Sequence, residues 1–330
     1  MLSRLRTCAL SWWHETTLPP VTSADEAPVF QEWHQHHQDH WTPFLNEDQG
    51  SSVQHRWGGA LHIVTWNVDA GAPSPAARLS ALLCAVEDIH PPVDIMFLQE
   101  VSKPALKTLL AHPWIRQRWL SSEADDSKFR RQSFATVTLI ARSCLSKNSM
   151  SLGRIWRVPL PSRFERDALC CDLLVNKTSS RSKNLCIRLI NVHLDSLPIN
   201  PSRRPLQVSI VASYLHAAGH GLIAGDFNPV LPEDAELVSQ NNLVDAWSQV
   251  HPTTPGYTWG VNGKQMFPPS RLDKIPVHEL EVQNMRVLPA CEENDGQNKY
   301  LAGRRADNLH FDGQFSDHLG LSCVFYWKGK

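Results

Sequence analysis

Four strand-like runs follow one another in the middle of the chain: SFATVTLIAR (133–142), GRIWRVPL (153–160), ALCCDLLVN (168–176) and NLCIRLINVHL (184–194). Each run is short, apolar and rich in β-branched or aromatic residues, and turn-like segments separate them. No helical pattern lies between them, although a parallel crossover connection needs about a dozen residues and usually a helix. The runs therefore predict antiparallel strands, which argues against a doubly wound parallel sheet.

Helical and strand patterns alternate on both sides of these runs. The period of the apolar residues predicts strands at 60–66, 93–98, 221–227, 280–288 and 319–327, and helices at 75–89, 103–111 and 205–216. Mixed strands with helices outside them indicate an α+β fold, a four-layer α/β/β/α sandwich of two mixed β-sheets flanked by helices.

The N-terminal part of the chain has a different character. Residues 1–55 contain Pro, His and Trp without periodicity, which predicts an irregular N-terminal extension that is partly ordered and wrapped on the domain. No fixed-period repeat and no Ser/Gly linker divides the remainder. Residues 56–330 are therefore predicted to form one domain.

Composition limits the function classes. Of the 330 residues, 42% are hydrophobic and 20% are charged, which excludes a largely disordered chain. The formal net charge of −1 excludes a global basic field that holds long nucleic acid, so any nucleic-acid contact must be local. No apolar run reaches the ~20 residues that a membrane-spanning helix requires.

The cysteines indicate a cellular compartment, and the spacing of the histidines argues against a zinc site near the N-terminus. The eight cysteines have no CxxC spacing, and Cys170 and Cys171 are adjacent, which predicts reduced thiols and a nuclear or cytoplasmic protein. Arginines before Glu15 leave a mitochondrial transit peptide as an alternative. The segment EWHQHHQDHW (32–41) matches no standard zinc spacing, and we interpret it as an irregular lead-in.

Polar side chains follow several of the apolar strands at the point where each strand ends. Asn67 follows HIVTW, Glu100 follows IMFLQ, His193 follows LINV, and Asp226 and Asn228 follow LIAG. Strand ends converge on one rim of a sheet, and a hydrolytic site needs charged groups held by rigid elements. Carboxylates and amides without thiolate neighbours suit a hard cation, Mg²⁺ or Mn²⁺, rather than zinc.

Each of these residues also has an ordinary structural interpretation. Asn67 and Asp69 are typical of a turn, and Glu100 is typical of the acidic start of a helix. GDFN (225–228) is by itself an ordinary turn, and a lone His193 is usually satisfied by a hydrogen bond. Only their occurrence together favours catalysis.

Six ordered blocks resemble the endonuclease/exonuclease/phosphatase superfamily: TWNVD (65–69), LQE (98–100), NVHLDS (191–196), GDFN (225–228), RLDK (271–274) and SDH (316–318). The resemblance covers nearly everything from Ala60 to Phe325. Within the superfamily, TWNVD, HLDS, YTW (257–259) and SDHLGL are most similar to type 2 tyrosyl-DNA phosphodiesterases and their fungal relatives. The resemblance implies a deoxyribonuclease I-like sandwich and a metal-dependent phosphodiesterase, a hydrolase.

The resemblance also implies how the metal and the attacking water are held. Glu100 would bind Mg²⁺ (or Mn²⁺), Asn67 would contact metal-bound solvent or phosphate, and Asp317 would lie in the outer metal shell. Asp226 would orient or deprotonate the attacking water. The physical reason is general, because a phosphodiester's negative charge repels nucleophiles until a divalent ion and polar donors absorb it.

A second set of residues is implied to bind the phosphate. Asn228 would donate hydrogen bonds to it, and His193 would contact a non-bridging oxygen. His318 would stabilise the charge of the transition state, oriented by Asp273. Independently of the resemblance, a buried histidine needs a carboxylate partner to stay protonated.

Substrate contacts are expected from Trp259, Arg271 and Ser316. Trp259 would stack on a base, although core packing is an equal alternative. Arg271 would pair with phosphate, and Ser316 also assists the turn before His318. Phe227 and Pro229 stand where vertebrate tyrosyl-DNA enzymes have a polar residue and a different loop, so we expect a different phosphotyrosyl pocket. The candidate cations for the mouth are Arg203, Arg204, Arg271, Arg304 and Arg305.

The sequence therefore predicts a monomeric, Mg-dependent phosphodiesterase that hydrolyses a 5′-phosphotyrosyl-DNA linkage in DNA repair and has DNA 5′ ends as its partner. The alternatives with the same metal site are another nuclease, a deadenylase, or a lipid or inositol phosphatase. A catalytically silent binding module on the same fold is a third hypothesis. The presence of Glu100, Asp226 and His318 argues against it.

Overall fold

The computed structural model describes residues 27–45, 59–129, 132–147, 150–175, 185–290 and 314–327. The strands are β1 (Val29–Gln31), β2 (His34–His37), β3 (His40–Pro43), β4 (Gly59–Asn67), β5 (Ile95–Ser102), β6 (Trp119–Ser121), β7 (Phe134–Ala141), β8 (Met150–Pro159), β9 (Asp167–Val175), β10 (Leu185–His193), β11 (Gly221–Asp226), β12 (Val244–Asp245), β13 (Asp273–Lys274), β14 (Pro276–His278), β15 (Glu281–Leu288) and β16 (Gly320–Trp327). The α-helices are α1 (Pro75–Glu87), α2 (Lys103–Ala111), α3 (Pro113–Arg118), α4 (Arg142–Lys147), α5 (Arg204–Ala218) and α6 (Ala246–Val250).

The strands form two mixed sheets. The β11 sheet has the order β1-β8-β9-β10-β11-β14-β12, with β13 also pairing with β11. The β4 sheet has the order β15-β16-β4-β5-β7-β6-β2-β3. This is the α+β sandwich of two mixed sheets and flanking helices that the sequence predicts, and the prediction is confirmed.

The four central runs are strands, but the chain changes sheets after the first of them. Strand β7 pairs antiparallel with β5 in the β4 sheet, and the short helix α4 then leads to β8. Strands β8, β9 and β10 form an antiparallel meander in the β11 sheet. The parallel pairs are β4–β5, connected through α1, and β10–β11, connected through α5.

Alternation along the strands builds two apolar layers. In β10, Ile187 and Leu189 belong to the large cluster that includes Ile63 and Phe97 of the β4 sheet. The intervening Ile190 belongs to a second cluster with the apolar face of α5. Because successive strand side chains point to opposite faces, β10 is buried on both sides. Such a strand provides a rigid support for the residue at its end.

Several polar side chains inside the sandwich are paired. Arg188 on β10 donates two hydrogen bonds to Asp172 on β9, at 2.7 Å from Nε and 2.9 Å from Nη2, and both side chains are fully buried. Gln99 Nε2 on β5 donates to Asn191 Oδ1 on β10, in the other sheet, at 2.9 Å, and to Thr65 Oγ1 on β4, in its own sheet, at 3.0 Å. Buried polar groups of this kind fix one relative position of the two sheets.

Residues 29–43 differ from the irregular extension expected there. Strand β1 adds to the edge of the β11 sheet through β8, while β2 pairs with β6 and β3. Trp33 is buried in the core, and Trp41 Nε1 donates to the Leu110 carbonyl at 3.0 Å. Strands of three or four residues carry too little alternation to be recognised from sequence.

In the described parts of the chain, no helix is long and apolar enough to cross a membrane.

Candidate active site

The two parallel strand pairs place their carboxyl ends at one rim of the sandwich. Asn67 at the end of β4 lies opposite Gln99 on β5, and His193 at the end of β10 lies opposite Asp226 on β11. Asn67 Nδ2 donates to Asp226 Oδ2 at 3.0 Å, so one side-chain hydrogen bond joins the two sheets at this rim. The convergence predicted from strand ends is therefore present in the fold.

Glu100 reaches the rim through a backbone irregularity. The ladder between β5 and β7 shifts register between Leu98 and Val101, and Glu100 has a φ of +56°. A left-handed conformation costs a residue with a side chain ~1–2 kcal/mol, and such strain is concentrated at functional positions. Its carboxylate accepts from Asn67 Nδ2 at 3.1 Å and from the Ala70 backbone N–H at 3.0 Å.

Asp226 is a buried carboxylate with a pKa close to neutral. It accepts hydrogen bonds from Asn67 Nδ2 and, at 2.9 Å, from the Asn228 backbone N–H. Burial and the nearby charge of Asp273 raise the pKa of Asp226 to about 7, against the lowering effect of His318. A carboxylate with such a pKa is suited to accept a proton from water at neutral pH.

His318 is held as a buried cation. Its Nδ1 lies 2.8 Å from Asp273 Oδ2, so a protonated ring donates to that carboxylate. Burial alone would lower the pKa of His318, but the charges of Asp273 and Asp226 outweigh it and raise the pKa to about 10. Its Nε2 lies 3.9 Å from Asp226 Oδ2. The ring therefore presents a second N–H beside the carboxylate at the rim.

His193 is held as a neutral ring. Burial, followed by the positive charges of Arg166 and His318, lowers its pKa well below the usual range. The ring stacks on Phe134, with centroids 5.9 Å apart and planes 23° apart. Arg166 Nη2 lies 3.3 Å from His193 Nε2, so the guanidinium donates and this nitrogen accepts. Two histidines at one rim thus differ in charge because their partners differ.

Arg166 is a site residue that the sequence analysis missed. Its Nη2 also donates to Ser196 Oγ at 3.1 Å, and its guanidinium lies over Phe134 at 5.0 Å and Phe164 at 5.6 Å. The side chain is half-buried. In sequence it is one of several charged residues between β8 and β9, and only the HLDS block, which contains Ser196, pointed to its neighbours.

Arg78 is a second residue that the sequence did not reveal. From helix α1 its Nη1 donates to the Val68 carbonyl at 2.8 Å and to the Phe315 carbonyl at 2.6 Å. These carbonyls belong to the segments that carry Asn67 and His318. Ser316 adds to the same connection, because its hydroxyl donates to the Asn67 carbonyl at 2.6 Å and accepts from the His318 N–H at 3.1 Å. Ser316 is buried, and these two hydrogen bonds position the segments on either side of it; substrate contact by Ser316 stays a prediction.

The predicted substrate contacts fall into different places. Trp259 lies at the rim, where its Nε1 donates to Asp317 Oδ2 at 2.9 Å and its backbone pairs with His318. Asn228 is also at the rim, with Nδ2 3.3 Å from the Leu194 carbonyl. Asp317 lies close enough to Asp69 for its charge to raise the pKa of that residue. Substrate contact by Trp259 stays a prediction.

Two of the predicted cations form ion pairs within the protein, and their contact with substrate stays a prediction. Arg271 Nη1 donates to both carboxylate oxygens of Asp245, at 2.8 and 2.7 Å. Arg204 is buried and pairs with Asp234 at 2.7 Å. An arginine already satisfied by a carboxylate is a poor phosphate ligand, because binding would break that pair. Arg203 is exposed, and Arg304 and Arg305 lie outside the described residues.

The donor set at the rim fits a hard divalent cation. The ligand atoms of Asp226, Asp273 and His318 all lie within 4.8 Å of one another. Since His318 is protonated there, its ring substitutes for a cation between the two carboxylates rather than acting as a ligand. The oxygens of Glu100 and Asn67 lie next to them, and burial together with Asp317 and Glu100 raises the pKa of Asp69. Clustered carboxylates of this kind are stabilised by a divalent ion with oxygen ligands.

The fold and the site define a hydrolase that acts on phosphodiester bonds. The model of the Endonuclease/Exonuclease/phosphatase family matches residues 64–318, which is most of the chain. The chain therefore belongs to the Endonuclease/Exonuclease/phosphatase family, whose members generally use a divalent metal ion. No curated protein sequence matches the chain closely.

Several solved structures share the fold. TDP2 of D. rerio, complexed with a single-strand DNA product, is 20% identical with a TM-score of 0.57, and the match covers 81% of this chain and 98% of that one. TDP2 from C. elegans is 17% identical with a TM-score of 0.60, covering 81% and 75%. The human Nocturnin catalytic domain with bound sulfate is 17% identical with a TM-score of 0.52, covering 81% and 94%. At these identities the similarity establishes a shared fold.

Proposed function

We propose that this phosphodiesterase hydrolyses a 5′-phosphotyrosyl-DNA linkage with the help of Mg²⁺ and that it acts on DNA 5′ ends in the nucleus or cytoplasm. The observation that carries the proposal is the cationic and aromatic wall formed by Arg166, Phe134 and Phe164 directly beside His193. Such a wall supplies a positive charge for a phosphate and flat apolar surface for an aromatic group. A 5′-phosphotyrosyl end contains both.

The charge distribution supports an end-binding substrate. With a net charge of −1, the protein has no overall attraction for long nucleic acid. The cations at the rim, Arg166 and the protonated His318, are local and flank the candidate metal ligands. They match the charge of one or two phosphates rather than of a long duplex.

The residues at the rim divide the work of hydrolysis. The Asp226 carboxylate, with its pKa near 7, accepts the proton of the attacking water. The charged His318 ring donates a hydrogen bond to a non-bridging oxygen, and Asp273 keeps that ring charged and oriented. Arg166 and the remaining amide hydrogen of Asn228 bind the other oxygens. Glu100 and Asn67 would hold the Mg²⁺ ion, which supplies Lewis acidity for the phosphate.

A tyrosyl leaving group suits this arrangement. The phenol of tyrosine has a pKa near 10, so phenolate departs without a strong acid at the leaving oxygen. The protonated group of the site, His318, is then free to neutralise the phosphate. The second candidate function keeps the same metal site and changes the substrate: another nuclease, a deadenylase, or a lipid or inositol phosphatase.

A substrate panel tests the proposal. The full chain in Mg²⁺ is incubated with a 5′-phosphotyrosyl oligonucleotide, abasic-site DNA, poly(A) RNA, sphingomyelin and an inositol phosphate, and products are separated by mass spectrometry. We expect free tyrosine and an oligonucleotide with a 5′ phosphate. Cleavage of another member of the panel without tyrosine release would refute the substrate and leave the phosphodiesterase activity intact.

Two variants separate the role of the candidate metal ligand from the role of the phosphate-binding cation. Glu100→Gln keeps the size of the side chain but removes the charge of the candidate metal ligand, so it should lose activity on every substrate. Arg166→Met keeps the stem of the side chain and removes the cation. It should lose at least tenfold in kcat/KM on the tyrosyl substrate, because one charge-assisted hydrogen bond contributes about 1.5–3 kcal/mol.

A further inference from the structure

A cavity beside β4, β15 and β16 contains a serine and a histidine that the proposed phosphodiesterase reaction does not use. The cavity has a volume of about 50 Å³, and its lining residues are His62, His90, Pro91, Asn284, Arg286, Ser322 and Val324. On β4, His62 precedes Asn67 by five residues, which places the cavity about 17 Å from the candidate active site at 3.3 Å per residue. The cavity is therefore a separate site.

The register of the β4 sheet brings these side chains together. Arg286 on β15 lies directly opposite Ser322 on β16. Val324, two residues further along β16, lies opposite His62 on β4. Opposed residues have Cβ atoms about 4.5–5.5 Å apart, and residues i and i+2 of a strand share a face. The sheet therefore holds a hydroxyl, an imidazole and a guanidinium on one face around the cavity.

Ser322 and His62 form the hydrogen-bonded pair of an activated serine. The Ser322 hydroxyl lies 2.8 Å from His62 Nε2, and His62 Nδ1 lies 2.9 Å from the Pro91 carbonyl oxygen. Because a carbonyl only accepts, the proton of the neutral ring is on Nδ1, and the hydroxyl donates to the lone pair of Nε2. A nucleophile bonded to a base that a third group orients is the arrangement of serine hydrolases, with a carbonyl here in the place of their carboxylate.

His62 is held in the form that accepts a proton. Burial and, to a lesser degree, the charge of Arg286 lower the pKa of His62 below its ordinary value of 6.5, against the raising effects of the Pro91 carbonyl and Asp94. A neutral imidazole is the general base that a serine nucleophile requires. His62 is 4% exposed and Ser322 is 3% exposed, so bulk water does not compete for the hydrogen bond between them.

The size and charge of the cavity indicate a substrate class. A water molecule needs roughly 10–15 Å³ of such volume, so the cavity takes about three or four non-hydrogen atoms, the size of an acetyl group. Arg286, Asn284 and His90 are exposed at its edge. Arg286, opposite Ser322, supplies a positive charge for the negative charge that develops on a carbonyl oxygen when the serine attacks.

We propose that Ser322 and His62 form a second hydrolytic centre, which takes short acyl groups from activated esters. Ser322 Oγ attacks the carbonyl carbon of the ester while its proton moves to His62 Nε2. The C–O bond to the leaving group then breaks, and the leaving oxygen takes that proton. Water attacks the acyl-serine with the same imidazole as its base, which releases the carboxylic acid and restores the serine hydroxyl.

Acetylation of the full chain by p-nitrophenyl acetate in EDTA tests the proposal, because the chelator silences the metal-dependent site. We expect a burst of p-nitrophenolate and, in tandem mass spectra of acid-quenched protein, an acetyl group on Ser322. Ser322→Ala should lose both, and His62→Gln should slow the acetylation about 100-fold, the contribution of a general base. His251→Gln is the matched control and should react like the wild type, since the His251 ring also bonds a backbone carbonyl, that of Met285 at 2.7 Å.

A second measurement separates the new centre from the fold. Hydrolysis of bis(p-nitrophenyl) phosphate in Mg²⁺ should be the same in the wild type, Ser322→Ala and His62→Gln, because neither residue lies at the rim. Loss of both activities in Ser322→Ala would overturn a separate centre, and so would acetylation of other side chains with Ser322 unmodified. Unchanged acetylation of Ser322 in His62→Gln would overturn the role of His62 as the base.

Discussion

Replacing Asp273 by asparagine separates the charge of the buried His318–Asp273 pair from its shape. Asparagine keeps the volume and one oxygen that accepts from His318 Nδ1, but it removes the negative charge that opposes the effect of burial on the pKa of His318. Without that charge, only Asp226 and Asp317 still oppose the effect of burial, so the pKa of His318 falls from its wild-type value of about 10. A larger fraction of the rings is then neutral at pH 8.5, because each unit by which the pKa lies below the pH lowers the protonated fraction about tenfold.

We therefore expect kcat at pH 8.5 to fall several-fold, by about as much as the protonated fraction of His318 falls. In the wild type, activity rises with pH as Asp226 loses its proton near its pKa of about 7, and it falls as His318 loses its own near about 10. In the variant both limbs move to lower pH, because the charge of Asp273 raises both pKa values. The deficit should therefore shrink as the pH is lowered toward 6.

The assay is hydrolysis of bis(p-nitrophenyl) phosphate, a diester that does not depend on the proposed substrate, between pH 5 and 10.5. Asp245→Asn is the matched control, because this carboxylate lies on the same sheet but pairs with Arg271 instead of His318. Its profile should keep the wild-type limbs. A deficit of the same size at every pH in Asp273→Asn would refute the reasoning, since it would indicate a displaced ring rather than an uncharged one.

Substitutions at three further positions test how the fold supports the site, with urea denaturation as the measurement. Glu100→Gly should be inactive yet about 1 kcal/mol more stable than Glu100→Ala, because only glycine adopts the φ of +56° without strain. Equal stabilities of the two variants would contradict backbone strain at Glu100. Gly225→Ala should cost about 3 kcal/mol or more, since its φ is +136° and a Cβ would overlap the Val192 carbonyl oxygen. Arg188→Met should cost about 3–5 kcal/mol by leaving the buried Asp172 carboxylate unpaired, and a loss under 1 kcal/mol would contradict a charged pair.

Much of the fold was predictable because its signals are local. Helix Lys103–Ala111 has the predicted bounds, and the strands that end in Asn67, His193 and Asp226 are apolar runs closed by one polar residue. Strand ends meet at a rim for geometrical reasons, so their residues were grouped correctly without any knowledge of contacts.

What the sequence did not reveal depends on contacts between distant segments. Arg166 and Arg271 are both single arginines near candidate motifs, but one lies beside His193 and the other is neutralised by Asp245. The partner of each arginine is set by how distant turns pack together. His193 is 27 residues from Arg166 in the sequence, and Asp245 is 26 residues from Arg271. The role of Arg78 is likewise invisible, since its acceptors are backbone carbonyls, one of them 237 residues away.

The hydrogen bond from Asn67 to Asp226 joins two sheets, and each sheet carries part of the reactive groups. The β4 sheet contributes Asn67 and Glu100, and the β11 sheet contributes His193 and Asp226. Neither sheet carries all the reactive groups. A relative shift of the two sheets by a fraction of an ångström would therefore lower activity while each sheet stays folded. Turnover therefore reports the relative position of the two sheets more sensitively than any spectroscopic measure of helix or strand content.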